Sequence, residues 1–183
     1  NVTGASGGGI LSHGSLTLTA VAIDGNSAGS GAGGGVAATG TLNVIDSTIS
    51  NNDAVLSGAI YPFGVAILNI KNSTLSGNST INVGGAITES GTSLGSLTTI
   101  ENSTITNNST TAANGGGIFA SRSPIIRSTI IAGNTAGSTP DVFGAFNSQG
   151  YNLVGKADGS TGFTATGDII GTISSPLDPR LTP

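Results

Sequence analysis

Apolar and polar residues alternate in short runs along this chain, as in Leu16-Thr17-Leu18, Leu42-Asn43-Val44 and Leu68-Asn69-Ile70. A period of two is the pattern of a half-buried β-strand, and no stretch shows the 3.6-residue period of a helix. Each run is locked to an asparagine. Leu18, Val44, Ile70, Ile100 and Ile126 stand eight residues before Asn26, Asn52, Asn78, Asn108 and Asn134, and Ile23, Ile49, Leu75, Ile105 and Ile131 stand three before. The asparagines are spaced 26, 26, 30 and 26 residues apart. A repeat of this length is one structural unit, and such units bury a core only by stacking on one another.

Each unit divides into three extended pieces. The first is Gly-rich, as in Gly33-Gly34-Gly35-Val36 and Gly115-Gly116-Gly117-Ile118; the second is the alternating run; the third is Ser47-Thr48-Ile49, Ser73-Thr74-Leu75 or Ser103-Thr104-Ile105, closed by the asparagine turn. The expected fold is an all-β, right-handed parallel β-helix (solenoid) with three short strands per coil and about 26 residues per coil. Glycine belongs where the chain bends sharply or φ is positive, and asparagine tolerates the same left-handed conformation. The Asn26, Asn52, Asn78, Asn108 and Asn134 column reads as structural, its amides bonding along the stack as in an amide ladder. The longer interval between Asn78 and Asn108 places a protruding loop at Thr88 to Gly95. Residues 1–134 form regular coils. Residues 135–183, which hold Phe143, Phe146, Tyr151 and Phe163, form divergent coils that close the same solenoid.

Composition narrows the function. Charged residues are 8% of the chain, five Lys and Arg face nine Asp and Glu, and no basic stripe exists to neutralise phosphates or lipid headgroups. Neither nucleic acid nor membrane insertion is expected as a partner. There is no cysteine, so a disulfide framework and thiolate metal sites are excluded. The single histidine, His13, has no triad spacing to a serine and an aspartate. Asp24 and Asp53 lie at turns one coil apart and are candidates for a glycosidase pair, which needs two carboxylates ~5 to 9.5 Å apart, but stacked turn acids are more simply solvated loop residues. Arg122 and Arg127 fall near Glu101 by register, an arrangement that one inter-coil ion pair explains. The expectation is no catalytic residue, no metal and no cofactor, although the oxygen-rich turns Asp24-Gly25-Asn26 and Asp158-Gly159-Ser160 resemble fragments of calcium loops. Asn-x-Ser/Thr sequons mark Asn72, Asn78, Asn102, Asn107 and Asn108, besides Asn1, as glycan acceptors.

The Gly-Gly-Gly-Ile and Asn-Ser-Thr-Ile/Leu motifs, with Gly150-Tyr151-Asn152-Leu153-Val154-Gly155, Gly167-Asp168-Ile169-Ile170-Gly171 and Pro176-Leu177-Asp178-Pro179-Arg180-Leu181, resemble bacterial parallel β-helix repeat surface proteins of the choice-of-anchor or polymorphic outer membrane protein type. The resemblance implies export to the cell surface or medium and a structural or adhesive role. Open solenoid ends carry unpaired strand edges. The functional expectation is therefore an extracellular scaffold assembling head-to-tail into a homopolymeric fibre. The alternatives are an adhesin or carbohydrate-binding module and, less favoured, a polysaccharide lyase or hydrolase.

Overall fold

The structure is a computed structural model in which residues 6–89 and 97–181 are described. Among these residues there is no helix, and every pairing between named strands is parallel. The chain winds as a β-solenoid of about five regular turns, about 26 residues each, consistent with a β-helix repeat protein.

The sheets divide the coil differently from the sequence pattern. The Gly-rich and alternating pieces belong to one 11-stranded sheet, and in two coils they fuse into single bent strands, Val36–Ile45 and Ile60–Lys71. These two strands pair along almost their whole length, with a register shift between Ala38 and Gly40. Positive φ at Gly40 and Gly64 lets the chain turn the corner without leaving the ladder. The third piece builds a seven-stranded sheet, running from Ala22–Asp24 through Thr48–Ser50, Thr74–Ser76, Thr104–Thr106, Ile130–Ala132 and Leu153–Val154 to Ile169–Ile170. A short third sheet follows the asparagine turn: Asp53–Ala54, Ser79–Thr80 and Ser109–Thr110. Its two-residue strands are too short to leave a period in the sequence.

The core is a set of stacked columns. Val36, Ile60, Ile87, Ile118 and Val142 are in register, as are Leu18, Val44, Ile70, Ile100 and Ile126 across the same sheet. Ile23, Ile49, Leu75, Ile105, Ile131 and Val154 face them from the second sheet. Nearly all are buried, and each such aliphatic contributes roughly 1.5–3 kcal/mol of transfer free energy. Phe146 and Phe163, with ring centroids 4.9 Å apart, are buried towards the C-terminal side of the column. Phe143 points outward instead and stacks on Phe119, and Tyr151 is 62% exposed.

Glycine has two separate jobs. Gly7, Gly33, Gly84 and Gly115 have positive φ, with Ser57 taking the same conformation in its coil. The next residue in each triplet has ordinary φ but no room: a Cβ on Gly58 would sit 2.5 Å from the Gly85 carbonyl oxygen and 2.6 Å from both the N and the O of Ser79. Close stacking of backbone, not turn geometry, requires these glycines.

Candidate functional site

Two polar ladders run through the interior, one per corner of the coil. In each, a residue with positive φ turns the chain and the residue after it points inward. At the first corner the turning residues are Ala20, Asp46, Asn72, Asn102, Ser128 and Tyr151, with φ between 49° and 60°. At the second they are Gly25, Asn51, Gly77, Asn107 and Gly133. The left-handed conformation therefore belongs to the residue before each ladder asparagine, and the asparagine itself supplies the amide.

The second corner carries the asparagine ladder. Asn52 Oδ1 accepts from the backbone N–H and Nδ2 of Asn26 at 2.9 and 3.0 Å; Asn78 does the same for Asn52, Asn108 for Asn78 and Asn134 for Asn108. The spare amide proton goes to a carbonyl one coil back, Ile23, Ile49, Leu75 or Ile105. The first corner carries a ladder that sequence reading missed. Ser47, Ser73, Ser103 and Thr129 hydroxyls each accept the backbone N–H of the preceding coil, and Asn152 continues the series. Its signal was available: a Ser or Thr stands five residues before each of Asn52, Asn78, Asn108 and Asn134.

Both ladders end on carboxylates. Asp168 Oδ1 accepts from Asn152 N and Nδ2, each at 3.0 Å, and its Oδ2 accepts from Ala165 N and Ser148 Oγ. Asp141 Oδ1 accepts from Asn134 N and Nδ2, each at 2.9 Å. Asp141 follows Pro140 in the coil position that Gly9, Gly35, Ala59, Ala86 and Gly117 occupy before their strand aliphatics. A carboxylate there reaches into the empty rung above Asn134. Burial pushes its pKa up, opposed by the Asn134 hydrogen bonds and by Lys156.

The remaining acids are mostly tied into surface hydrogen bonds. Asp24 accepts from Ser50 Oγ and Asn51 Nδ2, which hold its carboxyl below the usual range. Asp53 accepts from Ser79 Oγ at 3.0 Å and Ser27 Oγ at 3.4 Å, and Asp46 from Asn72 Nδ2. Asp24 and Asp53 thus have separate serine and asparagine partners. Glu101 lies between Lys71 and Arg127 in strand register, with Arg122 outside that column. Asp158 Oδ2 accepts from Ile173 N. Among the described residues no three His, Asp or Glu side chains cluster as metal ligands. Of the sequons, Asn72, Asn102 and Asn107 are exposed at the turning positions, whereas Asn78 and Asn108 are fully buried ladder rungs whose Nδ2 atoms are engaged. Among the described residues, the folded chain offers a glycan only the first three.

The bend between the two halves of the large sheet is where the coils differ most. Here lie His13, edge-on to Phe63 at 6.0 Å, and Tyr61, stacked near Phe63 at 5.9 Å. Thr88 and Glu89 belong to the strand Ile87–Glu89, so the expected Thr88 to Gly95 loop does not begin at Thr88; its residues 90–95 lie outside the described residues. Glu89 points inward and is 4% exposed, in the position that Ala120 fills one coil later. Its partner Thr98 replaces the leucine of the Leu16, Leu42, Leu68 column. Burial raises the Glu89 pKa, with Thr98 and Arg122 opposing, and its Oε2 has no hydrogen bond. A raised folded pKa means the native state binds the proton more tightly than the unfolded chain. The contribution is fully present below the ordinary value of 4.5 and is lost as pH rises through the folded value. Glu89→Gln should therefore flatten the fall in melting temperature between pH 4.5 and 7, measured by circular dichroism; an unchanged slope would remove this assignment.

Comparison with protein-family models, curated proteins and solved structures finds no match to this chain. The class that the fold defines is the parallel β-solenoid.

Proposed function

We propose that this chain is an extracellular structural scaffold, a rigid solenoid segment of the kind found in bacterial β-helix surface proteins. The observation that carries this reading is the pair of interior polar ladders, which commit the repeated Asn, Ser and Thr residues, and two of the nine acids, to holding coil on coil. On this reading the repeated beat of the sequence serves stiffness, and the chain is not an enzyme. Assembly is through the solenoid ends, where Ile169, Ile170 and Ile173 are about half exposed on the C-terminal side. The ladders themselves do not continue across such a junction, because that side ends on acceptors, Asp141 and Asp168. A binding role for the bend at His13, Tyr61 and Phe63 is the second reading, favoured by three rings gathered at one place, His13 exposed and Tyr61 and Phe63 half-buried.

Negative-stain electron microscopy of the native material, with intact mass on the same sample, tests the first reading. The seven-stranded sheet spans about 30 Å at ~4.8 Å per strand. Fibres with an axial repeat near that length are expected, carrying sugar, if any, at Asn72, Asn102 and Asn107. Isolated particles at high concentration would discard the fibre and turn attention to glycan binding at the bend.

A further inference from the structure

The two ends of the solenoid differ, and the difference is complementary. At the C-terminal end the last coil closes on itself, where Ile173 N donates to Asp158 Oδ2 at 2.6 Å. Within that coil lies a cavity of about 380 Å³, lined by Phe163, Ile170, Gly162, Thr161, Thr172 and Asp158 among others. Ile170 continues the inward column of Ile131 and Val154, yet it is 49% exposed where those two are fully buried. The segment that follows does not cover it, because Leu177 N turns back to Gly155 O one coil earlier. The branch of the large sheet that begins with Leu16–Thr19 ends at Asn147–Ser148, so the last coil has no strand there and the cavity opens beside Phe163.

The first coil carries what this end lacks. Its Ile10, Leu16 and Val21 are only partly buried against the core, and Leu18 and Ile23 keep 8% exposure where Val44 and Ile49, one coil on, keep none. Among the described residues, Ala22–Asp24 and Ile169–Ile170 are the two outer strands of the seven-stranded sheet. Ile169 N and Gly171 N donate back to Asn152 O and Val154 O, so the N–H and C=O of Ile170 point off the end. In the first coil Val21 O and Gly25 N bond forward to Thr48 N and Ser50 O, so the backbone groups of Ala22 and Asp24 point off the other end. Parallel stacking of the two ends brings Ile170 N to Ala22 O and Asp24 N to Ile170 O. The first corner fits as well: Val21 stands where later coils carry the ladder hydroxyl and offers no acceptor, and Asp168 N needs none, being bonded to Ala165 O. A coil-on-coil contact engages up to about 26 residues a side, the scale of a standard specific interface at roughly 20–30 residues a side.

We propose that the C-terminal cavity is the socket for the first coil of a second copy of this chain, stacked head-to-tail with every strand parallel. Ile23 of the incoming copy covers Ile170, and its Leu16 and Leu18 enter beside Phe163. This inference rests on the scaffold reading and supplies its junction. The aliphatic columns and the strand ladder run on from copy to copy, while both polar ladders stop within each one. The contact is heterologous, so every copy keeps one socket and one first coil free for further growth along the axis.

The chain has no cysteine, so single cysteines introduced into the whole chain report the register. Ile169→Cys and Ala22→Cys sit at exposed positions on the two outer strands. In the junction these strands lie ~4.8 Å apart, inside the Cα separation of about 4.4–6.8 Å that a disulfide spans. Under mild oxidation a mixture of the two variants should crosslink about tenfold more than Ile169→Cys mixed with Thr48→Cys, an exposed position in mid-solenoid. Ile170→Lys should melt at the wild-type temperature and abolish fibres in the electron microscope. Equal crosslinking in the two mixtures, or crosslinking of Ile169→Cys with itself to the same extent, overturns this junction. So do fibres of unchanged axial repeat from Ile170→Lys, and each of these results leaves the scaffold reading standing wherever the wild type forms fibres. A wild type without fibres, in which neither mixture crosslinks, overturns the junction and the fibre together.

Discussion

Asn108→Ala is expected to destabilise the chain by about 3–5 kcal/mol, a large part of the 5–15 kcal/mol that holds a domain folded. The side chain is buried completely and makes bonds in both directions along the stack. Its Oδ1 accepts from Asn78 N and Nδ2 at 3.0 and 2.8 Å, and its Nδ2 donates to Leu75 O, Thr106 O and Asn134 Oδ1. Truncation removes those bonds, leaves the Asn78 N–H with no acceptor in a dry interior, and opens a hole where water has no route in. Each orphaned buried group costs about 1–3 kcal/mol. Asn26→Ala is the internal control. Asn26 is the first described rung, only partly buried, and no described donor reaches its Oδ1, so it loses less, about 1 kcal/mol. Urea unfolding followed by circular dichroism separates the two. Equal losses would mean that the ladder is an incidental consequence of stacking and not a support of it.

Gly58→Ala is expected to be as damaging, for a reason unrelated to hydrogen bonding. The added methyl would meet Gly85 O at 2.5 Å and Ser79 N and O at 2.6 Å. All three atoms are backbone, so no side chain can rotate away. The coils must separate locally, which stretches the Gly58 N to Gly85 O bond of 3.0 Å and the pairing beside it. Overpacking a tight interior ordinarily costs 1–3 kcal/mol, and a rigid wall puts this case at about 3 kcal/mol or above. Gly14→Ala is its counterpart. A Cβ there meets nothing within 4 Å and φ is not positive, so the change should be neutral or stabilising by about 0.4–1 kcal/mol through the unfolded chain. Similar midpoints for the two variants would refute the close-approach explanation of the glycine triplets.

The third piece of each coil came directly from the pattern, because one aliphatic and one asparagine at a fixed spacing repeat in every regular unit. The fusion of the first two pieces into Val36–Ile45 and Ile60–Lys71 did not, since glycine at a bend looks the same whether the strand ends there or continues through it. The third sheet was invisible for want of length. Asp141 and Asp168 escaped notice because a terminator occurs once per ladder and so has no period; only their places at the ladder ends give them meaning.

The sharpest case is a single tripeptide. Asn72-Ser73-Thr74 and Asn78-Ser79-Thr80 are identical in sequence and six residues apart. In the first, the asparagine turns the corner in the left-handed conformation and is exposed, and the serine enters the hydroxyl ladder. In the second, Gly77 makes the turn and the asparagine is the buried rung. Sequence alone determined the coil length, the interior aliphatics and the all-β class, because those follow from periodicity and from the burial that stacking demands. Tertiary structure decided which asparagine faces inward, which glycine is needed for space and which acid ends a ladder. Those outcomes depend on the neighbouring coil, about 4.8 Å away in space and 26 residues away in the chain.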